Sequence, residues 1–201
     1  MPSRKSSKKP GLLCVISSPS GGGKSSIIRE ILKRHPEYKY SISATTRPRR
    51  HYERDGVDYY FLSDDEFDRR LQQGDFIEWA WVHGHRYGTL KKPIEEMLAN
   101  GDVVLLDIDV IGGRNVRKLF PENSLLIFLK PPSVEELIRR LKGRKSETEE
   151  QIKKRLERLP MEMAAADEYD VQIVNDDFEE TVRQVDRIIS EYRKKMEERT
   201  K

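Results

Sequence analysis

Ten residues, SSPSGGGKSS from Ser17 to Ser26, carry the strongest chemical signal in this chain. A loop that cradles phosphate needs successive backbone N–H groups turned inward, a lysine that reaches the terminal phosphates and a hydroxyl for a hard cation. Gly21, Gly22, Gly23, Lys24 and Ser25 supply these, although Ser18 stands where the G-x-x-x-x-G-K-[ST] pattern has its first glycine. A small residue at a strand exit can replace that glycine if its backbone angle is negative. The competing explanation is an ordinary glycine-rich turn with an incidental lysine. The context speaks against it, because an apolar run precedes the loop and a helical pattern follows it. A second requirement is a carboxylate for the metal. In DVVLLDID the hydrophobic strand ends in Asp107, with Asp109 two residues on and so on the same side of an extended chain, where both can face the phosphates. Asp109 can equally serve as the cap of the helix that follows.

These groups must be positioned by elements, and the elements are legible. GLLCVIS, DVVLLDID and SLLIFLK are near-continuous apolar runs, the pattern of strands buried in a parallel sheet. KSSIIREILKRH has helical spacing, and helices between the strands make an α/β fold. Three S-x-x-E capping boxes, at Ser63, Ser133 and Ser146, mark helix starts. Residues 39–89 break the alternation, being dense in Tyr, Trp, Arg and Gly with short alternating runs, and are expected to form a small strand-rich insertion. A helical pattern from Thr148 toward Tyr169 contains Pro160, which is expected to kink or split it. VQIVN is the last core strand, and Phe178, Val182, Val185, Ile188, Ile189 and Tyr192 recur at helical spacing in a C-terminal helix.

Composition narrows the function classes. The 201 residues fit one domain with small appended lobes. A net charge of +3 is too mild to imply a dedicated nucleic-acid partner, and the basic residues 1–10 are expected to form a disordered tail. One cysteine, Cys14, lies in an apolar run, as in a reducing compartment, and excludes an intrachain disulfide. No apolar run approaches the roughly 18 residues of a membrane span, so the expected location is the cytoplasm. Charged residues reach 36%, a bias associated with ion-pair networks in heat-adapted proteins.

The loop, SISATTRPRRHYERDGVDYYF, FIEWAWVHGHRYGT, LLDID, PPSVEELIRRLKGRKSETEEQIKKRL and YDVQIVNDD, in this order and spacing, resemble guanylate kinase from about residue 11 to residue 190. The resemblance implies a P-loop NTPase core (11–38 and 90–130), a GMP-binding lobe (39–89), a mobile lid (131–157) and a completing segment (158–201). It implies transfer of the γ-phosphoryl group of MgATP to GMP or dGMP. ATP and Mg2+ would be held by Ser18, Ser20, Gly21, Gly22, Gly23, Lys24, Ser25 and Ser26, with Ser25 and Asp107 at the metal and Asn175 near adenine. The acceptor phosphate falls to Arg47, Arg50, Tyr59 and Tyr87, and guanidinium forks with uncharged phenols suit a dianion. Base recognition falls to Glu78 with Ser43, Thr89 and Asp109. A carboxylate accepts both guanine N1–H and the exocyclic amino group, whereas adenine would leave Glu78 unpaired. By the same resemblance Lys24, Arg47, Arg140, Arg144, Arg155 and Asp107 are catalytic, the lid arginines closing over the phosphates next to a Gly143 hinge.

The chain departs from the family at three places. TTRPRR shifts the proline by one position, so Arg49 competes with Arg50 as phosphate ligand; Ile111 replaces a glutamine; and Pro160 is unusual. HGH at His83 to His85 reads as a turn, with no metal role. Two other functions fit parts of the pattern: a non-catalytic phosphopeptide-binding module built on the same fold, and a kinase for another small phosphate acceptor. Lys24, Ser25, Asp107 and the lid arginines speak against the first, Glu78 with Thr89 against the second. The oligomeric state is not encoded in any of these features.

Overall fold

The computed structural model describes residues 9–82, 84–143 and 149–199. Its core is a five-stranded parallel sheet. Strands β1 (Leu12–Ser17), β2 (Lys39–Tyr40), β7 (Val103–Asp107), β8 (Ser124–Lys130) and β9 (Val171–Val174) stand in the order β2-β7-β1-β8-β9. β1 is buried along its whole length because both of its faces are covered. Leu12, Cys14 and Ile16 pack on one face against α1 (Lys24–Arg34) and α7 (Phe178–Arg199). Leu13 and Val15 pack on the other, against α3 (Lys91–Asn100), α4 (Val110–Leu119) and a 3-10 turn at Ala165–Glu168. This is the mixed α/β, P-loop NTPase architecture expected from the sequence.

The register of the sheet matters for function. Ile16 lies opposite Asp107 and Ser17 opposite Phe128, so the ends of β1 and β7 converge beside β8 where the glycine-rich loop leaves β1.

A second sheet of four strands has the order β4-β3-β6-β5, with β3 (Ala44–Thr45), β4 (Tyr60–Phe61), β5 (Phe76–Val82) and β6 (His85–Leu90). Helix α2 (Asp64–Gln72) packs on it through Phe67, fully buried and stacked on Phe76 at 4.4 Å. Lys39 and Tyr40, expected at the start of this lobe, pair instead with Val104 and Leu105 of the core, while β6 runs on to Leu90. The Ser63 and Ser133 hydroxyls accept from Glu66 N and Glu136 N, capping α2 and α5 (Val134–Lys142).

Helix α6 (Glu149–Ala164) is not split at Pro160. Leu159 before the proline and Met163 after it are both packed in hydrophobic clusters, which outweighs one lost backbone bond. The pattern then tightens into the 3-10 turn instead of continuing as an α-helix to Tyr169. The Ser146 box lies outside the described residues. Among the described residues no helix is long and apolar enough to cross a membrane.

Candidate active site

The loop between β1 and α1 is shaped by glycine. Gly21 and Gly23 have φ of 91° and 89°, left-handed values that cost other residues strain. A Cβ on Gly22 would lie 2.8 Å from the Ser18 side chain. Ser18 therefore fits because Gly22 has none, and its hydroxyl is spent locally on the Pro19 carbonyl at 3.1 Å. Ser18, Ser20, the three glycines, Lys24, Ser25 and Asp107 together line a hollow of about 130 Å³ at the N-terminus of α1. Ser26 sits in the first helical turn, its N–H donating to the Gly23 carbonyl.

Asp107 binds this loop directly. Its carboxylate lies 2.8 Å from Lys24 Nζ and accepts from Ser25 Oγ at 2.7 Å. A hydroxyl and a carboxylate are hard oxygen donors of the kind Mg2+ takes beside substrate phosphates. Among the described residues no group of three or more His, Cys, Asp or Glu is placed to hold a metal ion. His83 lies outside the described residues.

Behind the loop stands a brace that sequence reasoning missed. The Tyr169 hydroxyl donates to Ser17 Oγ at 2.7 Å, and Ser17 donates to the Ile108 carbonyl at 2.7 Å. Burial pushes the Tyr169 phenol up to about 12, so it remains a donor. A Cβ at Gly113 would come within 2.4 Å of its oxygen.

Between the two sheets lies a cleft of about 360 Å³ whose wall includes Ser43, Tyr59, Glu78, Tyr87, Asp107 and Asp109. Glu78 faces Thr89 across β5 and β6 and accepts from its hydroxyl at 2.6 Å. It is therefore not the solvent-facing residue that an alternating strand would allow; burial, and secondarily the charge of Asp109, raises its pKa. Asp109 does cap α4, its Oδ1 accepting from Ile111 N and Gly112 N at 3.0 Å each, while Oδ2 lies 3.4 Å from Arg158. Asp107 and Asp109 thus do not share one role: the first meets the phosphate loop, the second the helix. Ile111 is 49% exposed and offers only its backbone N–H.

Arg47 Nε donates to the Tyr87 hydroxyl at 3.2 Å, and its guanidinium carbon is 5.4 Å from the Tyr59 ring centre. Arg50 and Arg49 diverge. Arg50 Nη1 donates to the Tyr52 hydroxyl at 2.9 Å, and Arg49 Nη1 to the main-chain carbonyl of Glu53 at 2.7 Å. Glu53, a residue that sequence reasoning did not single out, holds Arg47 through both carboxylate oxygens, at 3.1 and 2.7 Å.

Of the three arginines expected in a lid, Arg140 and Arg155 reach the loop region and Arg144 lies outside the described residues. Arg155 donates to Ser20 Oγ, and Arg140 donates through Nη2 to the Asn175 carbonyl at 3.0 Å. The Asn175 amide in turn donates to the Gly22 carbonyl at 2.6 Å, so this side chain braces the loop backbone. Arg139 and Arg140 together hold Glu136 down to about 2.

The sequence model of the family described as guanylate kinase matches residues 11–192. The chain is 48% identical over 185 residues to guanylate kinase of Chlorobium luteolum, covering 92% of this chain and 94% of that one. With guanylate kinase of Thermobifida fusca it shares 50% over 167 residues, 83% and 85% of the two chains. Its fold superposes on the crystal structure of guanylate kinase from Anaplasma phagocytophilum with a TM-score of 0.72 at 34% identity, covering 92% and 88%.

Proposed function

The chain belongs to the guanylate kinase family, and from that premise we infer that it is an ATP:GMP phosphotransferase, moving the γ-phosphoryl group of ATP to GMP to give ADP and GDP. The observation that carries this reading is a shared wall: Asp107 lines both the phosphate loop and the cleft that holds Glu78. A donor held by Lys24 and an acceptor base held by Glu78 therefore meet across one carboxylate.

The roles follow from the chemistry. Backbone N–H groups of Gly21 to Gly23 and the Lys24 ammonium hold the ATP phosphates at the positive end of α1. Ser25 and Asp107 would hold Mg2+, which would offset negative charge on the ATP phosphates. In the ligand-free protein Asp107 is held by Lys24 and Ser25. Arg47 and Arg50, with the Tyr59 and Tyr87 hydroxyls, take the acceptor phosphate, and Glu78 with Thr89, Ser43 and Asp109 takes guanine. The base edge is the same in dGMP, which makes it an acceptor as well. Arg140, Arg144 and Arg155 spread positive charge over the transferring group, whose chemistry is positioning and charge stabilisation with no covalent step. Residues 41–89 act as the acceptor lobe and 131–157 as the lid that excludes water.

The test is ADP release from MgATP with GMP, dGMP, AMP, UMP and CMP in parallel, with Lys24→Ala as control. Turnover confined to GMP and dGMP and lost in the control is expected. Equal turnover with AMP would overturn the assignment of Glu78.

A further inference from the structure

We propose that Glu53 is the positioning residue of the acceptor-phosphate clamp: its carboxylate fixes the Arg47 fork and the turn bearing Arg50, and its main chain diverts Arg49 away from the phosphate. The proposal rests on the reading of the cleft given above and deepens it.

Glu53 is 6% exposed, an unusual burial for a carboxylate, and it is fully paired. Oε1 accepts from Arg47 Nη2 at 2.7 Å; Oε2 accepts from Arg47 Nη1 at 3.1 Å and from the Arg50 backbone N–H at 2.8 Å. The main chain closes the same turn, Glu53 N donating to the Arg50 carbonyl at 3.0 Å. On its other side the Arg47 guanidinium is walled by two rings, 5.4 Å from Tyr59 and 5.8 Å from Phe61. The fork has one orientation available.

Donor accounting gives that orientation a meaning. A guanidinium has five N–H groups. In Arg47 one goes to Tyr87, one to the Pro48 carbonyl and two to Glu53, which leaves one hydrogen of Nη2 on the edge of the fork that Nε shares with Tyr87. Arg47 therefore offers a phosphate a single, pre-aimed donor where a free side chain would offer a mobile fork. Ordering a long side chain before binding removes part of the entropy lost on association. Arg49, donating to the Glu53 carbonyl, is committed to the turn, and Arg50 keeps its guanidinium on an exposed tyrosine hydroxyl. The same glutamate thus separates the two arginines that the shifted proline makes equivalent in sequence.

The opposing possibility is that Glu53 competes with the acceptor phosphate for Arg47, since both are anions. The two are distinguished by how much the phosphate adds to nucleoside binding, measured as Kd of guanosine over Kd of GMP for the parent, E53A and E53Q. The proposal expects this ratio to fall about tenfold in E53A, and about threefold in E53Q, which keeps one carbonyl acceptor. Guanosine and ATP affinities should stay within about twofold of the parent, a selectivity that a collapsed lobe would not show. An unchanged or increased ratio in E53Q overturns the proposal, the increase pointing to competition. Loss of guanosine affinity equal to the loss of GMP affinity in both variants, or failure of both to fold, overturns it in favour of a structural prop. A parent protein that binds guanosine and GMP alike removes the acceptor reading itself, and the proposal with it.

Discussion

At the scale of single residues, the site is governed by carboxylates whose roles are set by what surrounds them. Asp107, Asp109, Glu53 and Glu78 are four acids of similar intrinsic strength, and they bind respectively a lysine and serine, two helix N–H groups, an arginine, and a threonine. Glu78 carries a conflict between stability and function. Its pKa is raised on folding, so its contribution favours the folded state below the unfolded pKa and is lost as pH rises through the folded value. At neutral pH its charge therefore costs stability in the ligand-free protein, while the guanine-binding role proposed for Glu78 requires that charge as a double acceptor. Glu78→Gln is expected to raise the melting temperature at pH 7 and to lower kcat/KM for GMP on the order of 100-fold. In the parent, KM for GMP should rise as pH falls through the raised pKa, and this acid limb should be absent from the variant. A KM profile with the same acid limb in both proteins would assign it to another group.

At the scale of elements, helix α6 combines a local rule with its violation. Pro160 lacks the N–H that would bond the Leu156 carbonyl, yet the helix continues, with Leu159 9% exposed and packed against α5 through Leu137 and Leu141. Packing here overrides propensity. Pro160→Ala restores the donor and should stabilise the protein by about 1–3 kcal/mol in denaturant unfolding. A destabilised variant would mean that the proline supplies a bend the lid needs. The capping boxes behave differently: Ser63 and Ser133 mark helix starts from four contiguous residues because the capping hydroxyl and the N–H that donates to it are covalently close, and no long-range contact intervenes.

At the scale of the whole molecule, the charge bias resolves into shared pairs. Glu66 serves Arg69 and Arg70, Glu136 serves Arg139 and Arg140, and Arg34 bridges Glu30 and Glu179 of another helix. Isolated exposed pairs contribute little at ordinary temperature, but shared ones lose less to desolvation as temperature rises. A melting temperature above about 65 °C that falls on adding molar salt is expected by scanning calorimetry. A midpoint in the ordinary mesophile range would remove heat adaptation as the reason for the bias.

By itself the sequence determined the family, the phosphate loop from Ser18 to Ser25, the buried parallel strands and the helix starts. These are properties of contiguous residues, where backbone freedom, hydrophobic period and capping act over a few positions. It also named Glu78 and Thr89, although only as members of a pattern. Tertiary structure decided which partners the charged groups take. The register of β1 beside β7 puts Asp107 on a loop 82 residues earlier in the chain. Tyr169 reaches Ser17 across 152 residues, and Asn175 reaches Gly22 across 153. Glu53 lies only six residues from Arg47, yet the burial that forces the two together comes from the fold of the lobe. A side chain's chemistry is fixed by its type, but its pKa, its partner and its spare donors depend on which distant atoms remove it from water.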